Sequence, residues 1–457
     1  MDRRTFLGAA AGALIAPSLQ GLVARAHAAE LRRVGGMVAG LGDGGYGPLV
    51  AAGRHLALPA GFTYEVLGVE GTPMSNGLPT PMAHDGMASF ALRNGNIRLV
   101  RNHEVAEPAA TTTPIGDAAK AYDPRGPGGT TSLEVRVKRD GTRELVRDFV
   151  SIGGTLRNCA GGPTPWGSWL TCEETVEGTG PAQRAKDHGY IFEVDAHAEE
   201  QVEAVPLKAM GRFVHEATAV DPRTGIVYET EDRQSAGFYR FIPNVRGKLR
   251  EGGRLQMLAV RGRPKFDTRT GQTQRVWMPV EWVDIPDPDP AGAEADSLAV
   301  YKQGLERGGA TFARLEGCFH GHESIYFHAT NGGDRQLGQV WQYKPGPGPD
   351  EGQLQLLFES TAREVLDQPD NLTVSPRGGI VICEDADEVC FLRGLTPDGR
   401  IFDLAKHILN DNEFAGACFS PDGKTLFVNV QGDVRSGQKG KLGRTYAIWG
   451  PWERGAL

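Results

Sequence analysis

This chain of 457 residues has little that would build a helical protein or one of the common nucleotide enzymes. Apolar residues at helical spacing are scarce. It carries no Gly-x-Ser-x-Gly elbow, no His-Glu-x-x-His pair, no Walker loop and no dinucleotide fingerprint set between a strand and a helix. Serine hydrolase, zincin, kinase and dehydrogenase chemistries therefore lack their usual carriers. Positive charge is in deficit: 49 Lys and Arg against 57 Asp and Glu leave a net charge of −8, a poor match for nucleic acid or an anionic lipid surface. No stretch is long and apolar enough to serve as a membrane helix, so stable membrane insertion is not expected. Cysteine is sparse. The six (159, 172, 318, 383, 390 and 418) are spread through a chain large enough to fold without disulfide staples. Cys159 is a candidate ligand, whereas Cys172, Cys383 and Cys418 read as buried strand residues.

What the chain has in quantity is glycine (62) and proline (29), the residues of many tight turns in an all-β repeat protein. At the N-terminus, Arg3-Arg4 precedes a weakly apolar stretch and the small-residue site Ala26-His27-Ala28. That pattern predicts a twin-arginine signal over residues 1–28, recognised by the twin-arginine export machinery and delivering a periplasmic or secreted protein. Residues 29–55 read as an N-terminal extension and 56–457 as one domain.

Six segments repeat one plan: a polar, metal-competent residue opens a strand, a Gly/Pro/Asp turn follows, and a second strand closes on more polar residues. They are HDGMASFALRNGNIRLVRNHE (84–104), NCAGGPTPWGSWLTCEE (158–174), HEATAVDPRTGIVYETED (215–232), EGCFHGHESIYFHATNGGD (316–334), DNLTVSPRGGIVICED (370–385) and EFAGACFSPDGKTLFVNVQGD (413–433). The two strands of a hairpin are antiparallel, so the start of one and the end of the other share an edge. Six copies in a ring gather these residues in one mouth. Runs such as SLEVRVK, GFYRFIP and QVWQYKP between the copies supply outer strands. The expected fold is a six-bladed β-propeller with loop and short helical insertions, closed by pairing GFTYEVLG (61–68) with RTYAIWGPW (444–452). The long insertion near 250–315 holds one helical segment, DSLAVYKQGLERG, and is placed partly over the mouth as a lid.

Glu216, Glu316 and Glu413 open inner strands at places taken by Asp85, Cys159 and Asp370-Asn371 in the other copies, while Glu104, Glu173-Glu174, Glu231-Asp232 and Glu384-Asp385 close them. So many carboxylates in one mouth repel one another unless cations offset them. Numerous hard oxygens suit calcium, and a thiolate from Cys159 points to a transition metal, iron before structural zinc. Arg314, two residues before Glu316, is placed on the same face to grip phosphoryl oxygens. Asn102, Asn158 and Asn371 are candidates to bond substrate or ligand oxygens. No Ser, Thr or Cys stands in an activated pair, so the attacking nucleophile is assigned to a metal-bound oxygen. A calcium-dependent propeller lactonase and a non-catalytic exported metal-binding propeller stay open at this point.

The stretches RNCAGGPTPWGSWLTCEE, VHEATAVDPRTGIVYETEDR, RLEGCFHGHESIYFHATNGGDRQLGQVWQY, PDNLTVSPRGGIVICED, EFAGACFSPDGKTLFVNVQ and AIWGPW resemble those of the PhoX-type alkaline phosphatases, over most of residues 56–452. The resemblance implies an exported, monomeric six-bladed propeller that hydrolyses small phosphate esters with a mixed cluster of iron (Fe3+) and calcium (Ca2+). It further implies Cys159, Glu216 and Glu316 as iron ligands, with Glu104, Glu173, Glu174, Glu231 and Asp385 as the acidic shell for calcium and iron. The expected catalytic pair is Glu316 and Arg314, and the expected substrate contacts are Arg314 and Asn158. A lysine matching the later substrate-contacting region of longer members has no counterpart identified here.

Overall fold

A computed structural model describes residues 42–107, 116–348, 350–386, 389–409, 412–432 and 442–457. The expected signal, residues 1–28, and the first part of the extension lie outside the described residues. Three N-terminal strands, β1 (Leu49–Ala51), β2 (Leu56–Pro59) and β3 (Thr63–Leu67), precede the six repeats. The first blade is β4 (His84–Ala91), β5 (Ile97–His103), β6 (Gly128–Val137) and β7 (Arg143–Thr155). The second has three strands, β8 (Asn158–Pro163), β9 (Ser168–Glu173) and β10 (Ile191–Asp195). The third is β11 (His215–Val220), β12 (Val227–Glu231), β13 (Phe238–Pro243) and β14 (Gly253–Val260), lengthened by β15 (Met278–Asp284). The fourth is β16 (Leu315–Gly321), β17 (Ser324–Ala329), β18 (Gln339–Pro345) and β19 (Gly352–Glu359). The fifth is β20 (Pro369–Val374), β21 (Ile380–Glu384), β22 (Phe391–Leu395) and β23 (Ile401–His407), and the sixth β24 (Phe414–Phe419), β25 (Thr425–Val430) and β26 (Arg444–Trp449).

The inner strands β4, β8, β11, β16, β20 and β24 pack in that order, and β24 packs back on β4, which closes the ring. The seam is the expected one: β3 completes the sixth blade by pairing with β26, Leu67 facing Thr445 and Thr63 facing Trp449. Residues 49–59 of the N-terminal stretch also join the propeller, as β1 and β2 add to the outer edge of the fifth blade. Part of the insertion packs on the loops that follow Glu174 and Asp232: the N–H groups of Gly180 and Ala182 donate to Glu294 (2.8 Å each) and Arg233 Nε donates to Ser297 Oγ (3.1 Å). Strands β14 and β15 widen the third blade, and β15 reaches β19 of the fourth. Its helix, α1 (Ala299–Glu306), buries Val300 and Tyr301.

Alternation along the strands sends apolar side chains into the seams between blades, where burial is the main favourable term. Between blades three and four, Tyr228, Phe238, Trp282, Phe327 and Tyr343 share one cluster, with Phe238 and Phe327 stacked at 4.1 Å. All six cysteines are buried and unbridged, so no disulfide contributes.

Each inner hairpin carries a β-bulge at one place. The register slips between His84 and Met87, Asn158 and Gly161, His215 and Thr218, Leu315 and Cys318, Pro369 and Leu372, and Ala415 and Cys418. A bulge opposes two residues to one and re-aims the side chain it carries. The residue before it has a left-handed backbone in four blades: Ala83 (φ 52°), Arg157 (49°), Arg314 (41°) and Gln368 (48°). Strain of this kind concentrates at functional sites.

Candidate metal centre

By register, and by the rim bond two residues before each (Gln431 N–H to the Glu413 carbonyl in the sixth blade), the equivalent positions are Asp85, Cys159, Glu216, Glu316, Asp370 and Ala415. In the sixth blade the equivalent residue is therefore Ala415, not Glu413, which sits two residues earlier; Gly416 matches Gly86 and Gly317, each packed on the carbonyl of a neighbouring blade's bulge. Gly416 (φ 59°) has no room for a side chain, because a Cβ there would collide with the Asp85 carbonyl. Neighbouring blades pin these bulges. Asn102 donates to the carbonyls of Cys159 (2.9 Å) and Ala160 (2.7 Å), Thr230 to that of Glu316 (2.7 Å), and Asn429 to that of Asp85, while Asn371 accepts from the Gly416 N–H (2.7 Å). Asn102 and Asn371 are thus employed in the frame.

The closing strands supply a second tier. The backbone N–H groups of Glu104, Glu174, Asp232, Thr330 and Asp385 donate to the carbonyls of Ala83, Arg157, Val214, Arg314 and Gln368 (2.8–3.1 Å), which puts these five at equivalent points of the rim. Ligand-type atoms then fall into three overlapping groups, each within 4.8 Å: Asp85, Glu104 and Cys159; Cys159, Glu174 and Glu216; Glu216, Glu316 and Asp370. Seven metal-competent side chains form one continuous run.

Little inside the protein offsets this charge. Cys159 Sγ donates to Glu216 Oε1 (3.2 Å), and Glu216 Oε2 is buried with no partner. Gln431 Nε2 donates to both Asp85 Oδ2 (2.9 Å) and Glu104 Oε2 (2.7 Å). Burial, then the Glu104 and Asp370 carboxylates, push Asp85 well above the ordinary carboxylate range. Burial followed by Asp370, Glu174 and Asp232 does the same to Glu216, and burial followed by Asp232, Glu216 and Asp370 to Glu316. Asp370 rises to about 7, through burial and then Asp385 and Glu104. Cys159 is raised by burial and then Asp85 and Glu216. Glu413 is raised by burial and then by Asp385, with which it shares a hydrogen bond. Without cations these groups must hold protons. An orphaned buried carboxylate oxygen amid crowded acids is the donor set that hard cations relieve, and the adjacent sulfur suits a softer transition metal.

Arg314 is the cation built into the run. Its Nε and Nη2 grip Asp232 bidentately (2.9 Å each), and Nη2 also meets Glu316 Oε1 at 3.0 Å. Its backbone is left-handed, so it reaches Glu316 through a turn and not along an extended strand.

Three expected site residues are not brought to the mouth. Glu173 accepts from the N–H groups of Leu156 (2.9 Å), Gly189 (2.9 Å) and Tyr190 (3.2 Å) and from His188 Nδ1 (2.6 Å), which commits its carboxylate to the loop after β9. Glu231 accepts from the Gly237 N–H (2.9 Å) and the Tyr239 hydroxyl (2.8 Å). Asn158 is fully buried, accepts from Thr155 Oγ1 (2.6 Å) and donates to Thr171 Oγ1 (2.8 Å). The reason is the period of two along a strand: Glu173 and Glu231 pair across from Asn158 and His215, and the next residue, Glu174 or Asp232, turns to the mouth. Expected Cys159, Glu216, Glu316, Glu104, Glu174 and Arg314 do converge, and Asp385 lies at the edge beside Glu413 and Asp370. Asp85, Asp370, Asp232 and Gln431 complete the set. Asp85 and Asp370 were detectable from their place in the repeat, whereas Gln431 carries no ligand signal in the sequence.

Fold and site together define a six-bladed propeller with an acidic, metal-competent mouth and an arginine set in its wall. Residues 44–433 match the family described as Alkaline phosphatase PhoX, and the chain belongs to that family. The structure of Pseudomonas fluorescens PhoX in complex with vanadate, a transition state analogue, aligns with a TM-score of 0.69 and 19% identity, over 90% of this chain and 98% of that one, which shows the shared fold. A gluconolactonase from Xanthomonas campestris aligns at TM-score 0.40 and 12% identity, over 88% of this chain and 99% of its own. Virginiamycin B lyase from Staphylococcus aureus aligns at 0.39 and 10%, over 85% and 99%. A search of curated proteins finds no sequence match.

Proposed function

We propose that the protein hydrolyses small phosphate monoesters in its mouth with bound iron and calcium ions. The observation that carries this reading is the continuous run of seven metal-competent side chains, edged by Arg314, in a chain of the PhoX family. Cys159, with Glu216 and Glu316, would hold iron, and the oxygen-only positions Asp85, Glu104, Glu174 and Asp370 would hold calcium or bridge the two kinds of ion. Bound metal supplies Lewis acidity toward the phosphoryl oxygens and lowers the pKa of an attacking water.

The chain's own residues do the rest. Arg314 turns its two Nη1 hydrogens, which Asp232 and Glu316 do not use, to the phosphoryl oxygens. Asp232 aims the guanidinium, since both of its oxygens hold the opposite edge, Nε and Nη2. Buried walls around Glu216 and Glu316 strengthen every charge interaction by excluding water. Export through the twin-arginine pathway as a monomer fits a metal site assembled before translocation.

The test is hydrolysis of p-nitrophenyl phosphate at alkaline pH by the purified protein, with elemental analysis of the same sample. Turnover that is abolished by chelation and by Glu316→Gln, from protein containing iron and calcium, is expected. A metal-loaded, folded protein without turnover on phosphate esters refutes the reading, and one calcium with no iron refutes the metal assignment.

A further inference from the structure

Arg314 has a counterpart. Arg157 occupies the same register position two blades earlier, immediately before Asn158↔Glu173 as Arg314 comes before Leu315↔Ala329. Both have left-handed backbones (φ 49° and 41°), and both carbonyls accept the N–H of the rim residue opposite, Glu174 for one and Thr330 for the other. The other four blades place Ala83, Val214, Gln368 and Glu413 there, so only these two positions carry a cation. The blade geometry sets the backbone at the position. What is particular to blades two and four is the guanidinium.

The two arginines flank one pair of carboxylates. Arg157 Nη1 lies 3.7 Å from Glu174 Oε2, Glu174 shares a hydrogen bond with Asp232, and Asp232 is gripped by Arg314. Their commitments differ. Arg314 makes three contacts of 2.9–3.0 Å to carboxylate oxygens, whereas Arg157 makes one loose ion pair, and its side chain is 41% exposed against 32%. An exposed, long contact of this kind does little for stability.

We propose that Arg157 is a second substrate-binding arginine, which takes the phosphoryl oxygen facing away from Arg314 and so favours a monoester dianion over a diester. The proposal rests on the phosphatase reading of this mouth. A monoester presents three non-bridging oxygens, and one guanidinium engages at most two of them in a plane. A second guanidinium, joined to the first through Glu174 and Asp232, is the group left to meet the third. A diester has lost one anionic oxygen to its second ester group and has less to offer Arg157.

The experiment compares metal-loaded, full-length wild type with Arg157→Lys and Arg157→Gln. Calorimetric titration with inorganic phosphate measures binding without turnover, and p-nitrophenyl phosphate and bis(p-nitrophenyl) phosphate measure KM and kcat. Arg157→Gln should weaken phosphate binding and raise the monoester KM about tenfold, the scale of one charge-assisted contact. It should shift kcat and the diester KM much less, with Arg157→Lys in between and added guanidinium ion restoring part of the loss. Unchanged phosphate affinity in folded, metal-replete Arg157→Gln overturns the proposal. So does loss of bound metal in both variants, which makes Arg157 a support for Glu174. A wild type that binds phosphate but turns over no ester refutes the phosphatase reading instead, while the binding comparison still decides Arg157.

Discussion

At the scale of the residue, adjacent acids with one chemistry have opposite duties. Glu173 and Glu174 differ by one position, and strand alternation sends the first into a nest of three backbone N–H groups and His188, the second to Cys159 and Glu216. Breaking such a buried, fully bonded carboxylate leaves several donors unsatisfied. Glu173→Ala is expected to lower stability by about 3 kcal/mol in denaturant melts while the folded fraction keeps its metal. Glu174→Gln is nearly isosteric and removes a ligand charge, so its folded fraction should match wild type while elemental analysis shows less bound metal. If Glu173→Ala depletes metal from protein of undiminished stability, the assignment of duties is reversed.

At the scale of the element, the bulged inner strand is the unit of construction. It brings Asp85, Cys159, Glu216, Glu316 and Asp370 into one mouth, and amide or hydroxyl side chains of the adjacent blade hold the carbonyls of Asp85, Cys159 and Glu316 in place. Asn102 bonds two carbonyls and accepts from Trp169 Nε1 (2.8 Å) and Thr171 Oγ1 (2.9 Å), so all its capacity is used. Asn102→Ala should cost about 2–4 kcal/mol, because it orphans several buried groups at once. Gly416→Ala combines a left-handed φ with a collision against the Asp85 carbonyl, so its thermal midpoint should fall and metal retention with it. A Gly416→Ala protein with wild-type midpoint and metal content would show that the inner strands have more freedom than this packing allows.

At the scale of the whole molecule, ring closure makes the mouth a single electrostatic object. Asp370 at about 7, with Asp85, Glu216 and Glu316 also displaced upward, means that the metal-free fold binds protons the unfolded chain has released. A carboxyl raised in the folded state contributes stability that is complete below its unfolded value and is lost as pH climbs through the folded one. The chelated protein should therefore melt at progressively lower temperature between about pH 5 and pH 8. Metal binding displaces those protons and strengthens with pH. Differential scanning calorimetry of loaded and chelated samples should show a gap in Tm that widens across this range, and a constant gap would contradict the picture.

Periodicity, turn residues and the order of the six copies were enough to establish the propeller, its β3–β26 seam and the idea of a shared acidic mouth, because each depends on local pattern or on topology that antiparallel pairing dictates. Cys159, Glu216 and Glu316 were legible for the same reason, as they occupy one position of a repeat. Which acid of each adjacent pair faces inward was not legible, since a one-residue slip at a bulge exchanges the two faces of a strand and leaves no mark in the letters. The pinning of bulges by Asn102 and Thr230, the bonding of Gln431 to two mouth acids and the kinship of Arg157 with Arg314 also waited on the structure. These depend on distances between blades separated widely in sequence, and only closure of the ring sets those distances.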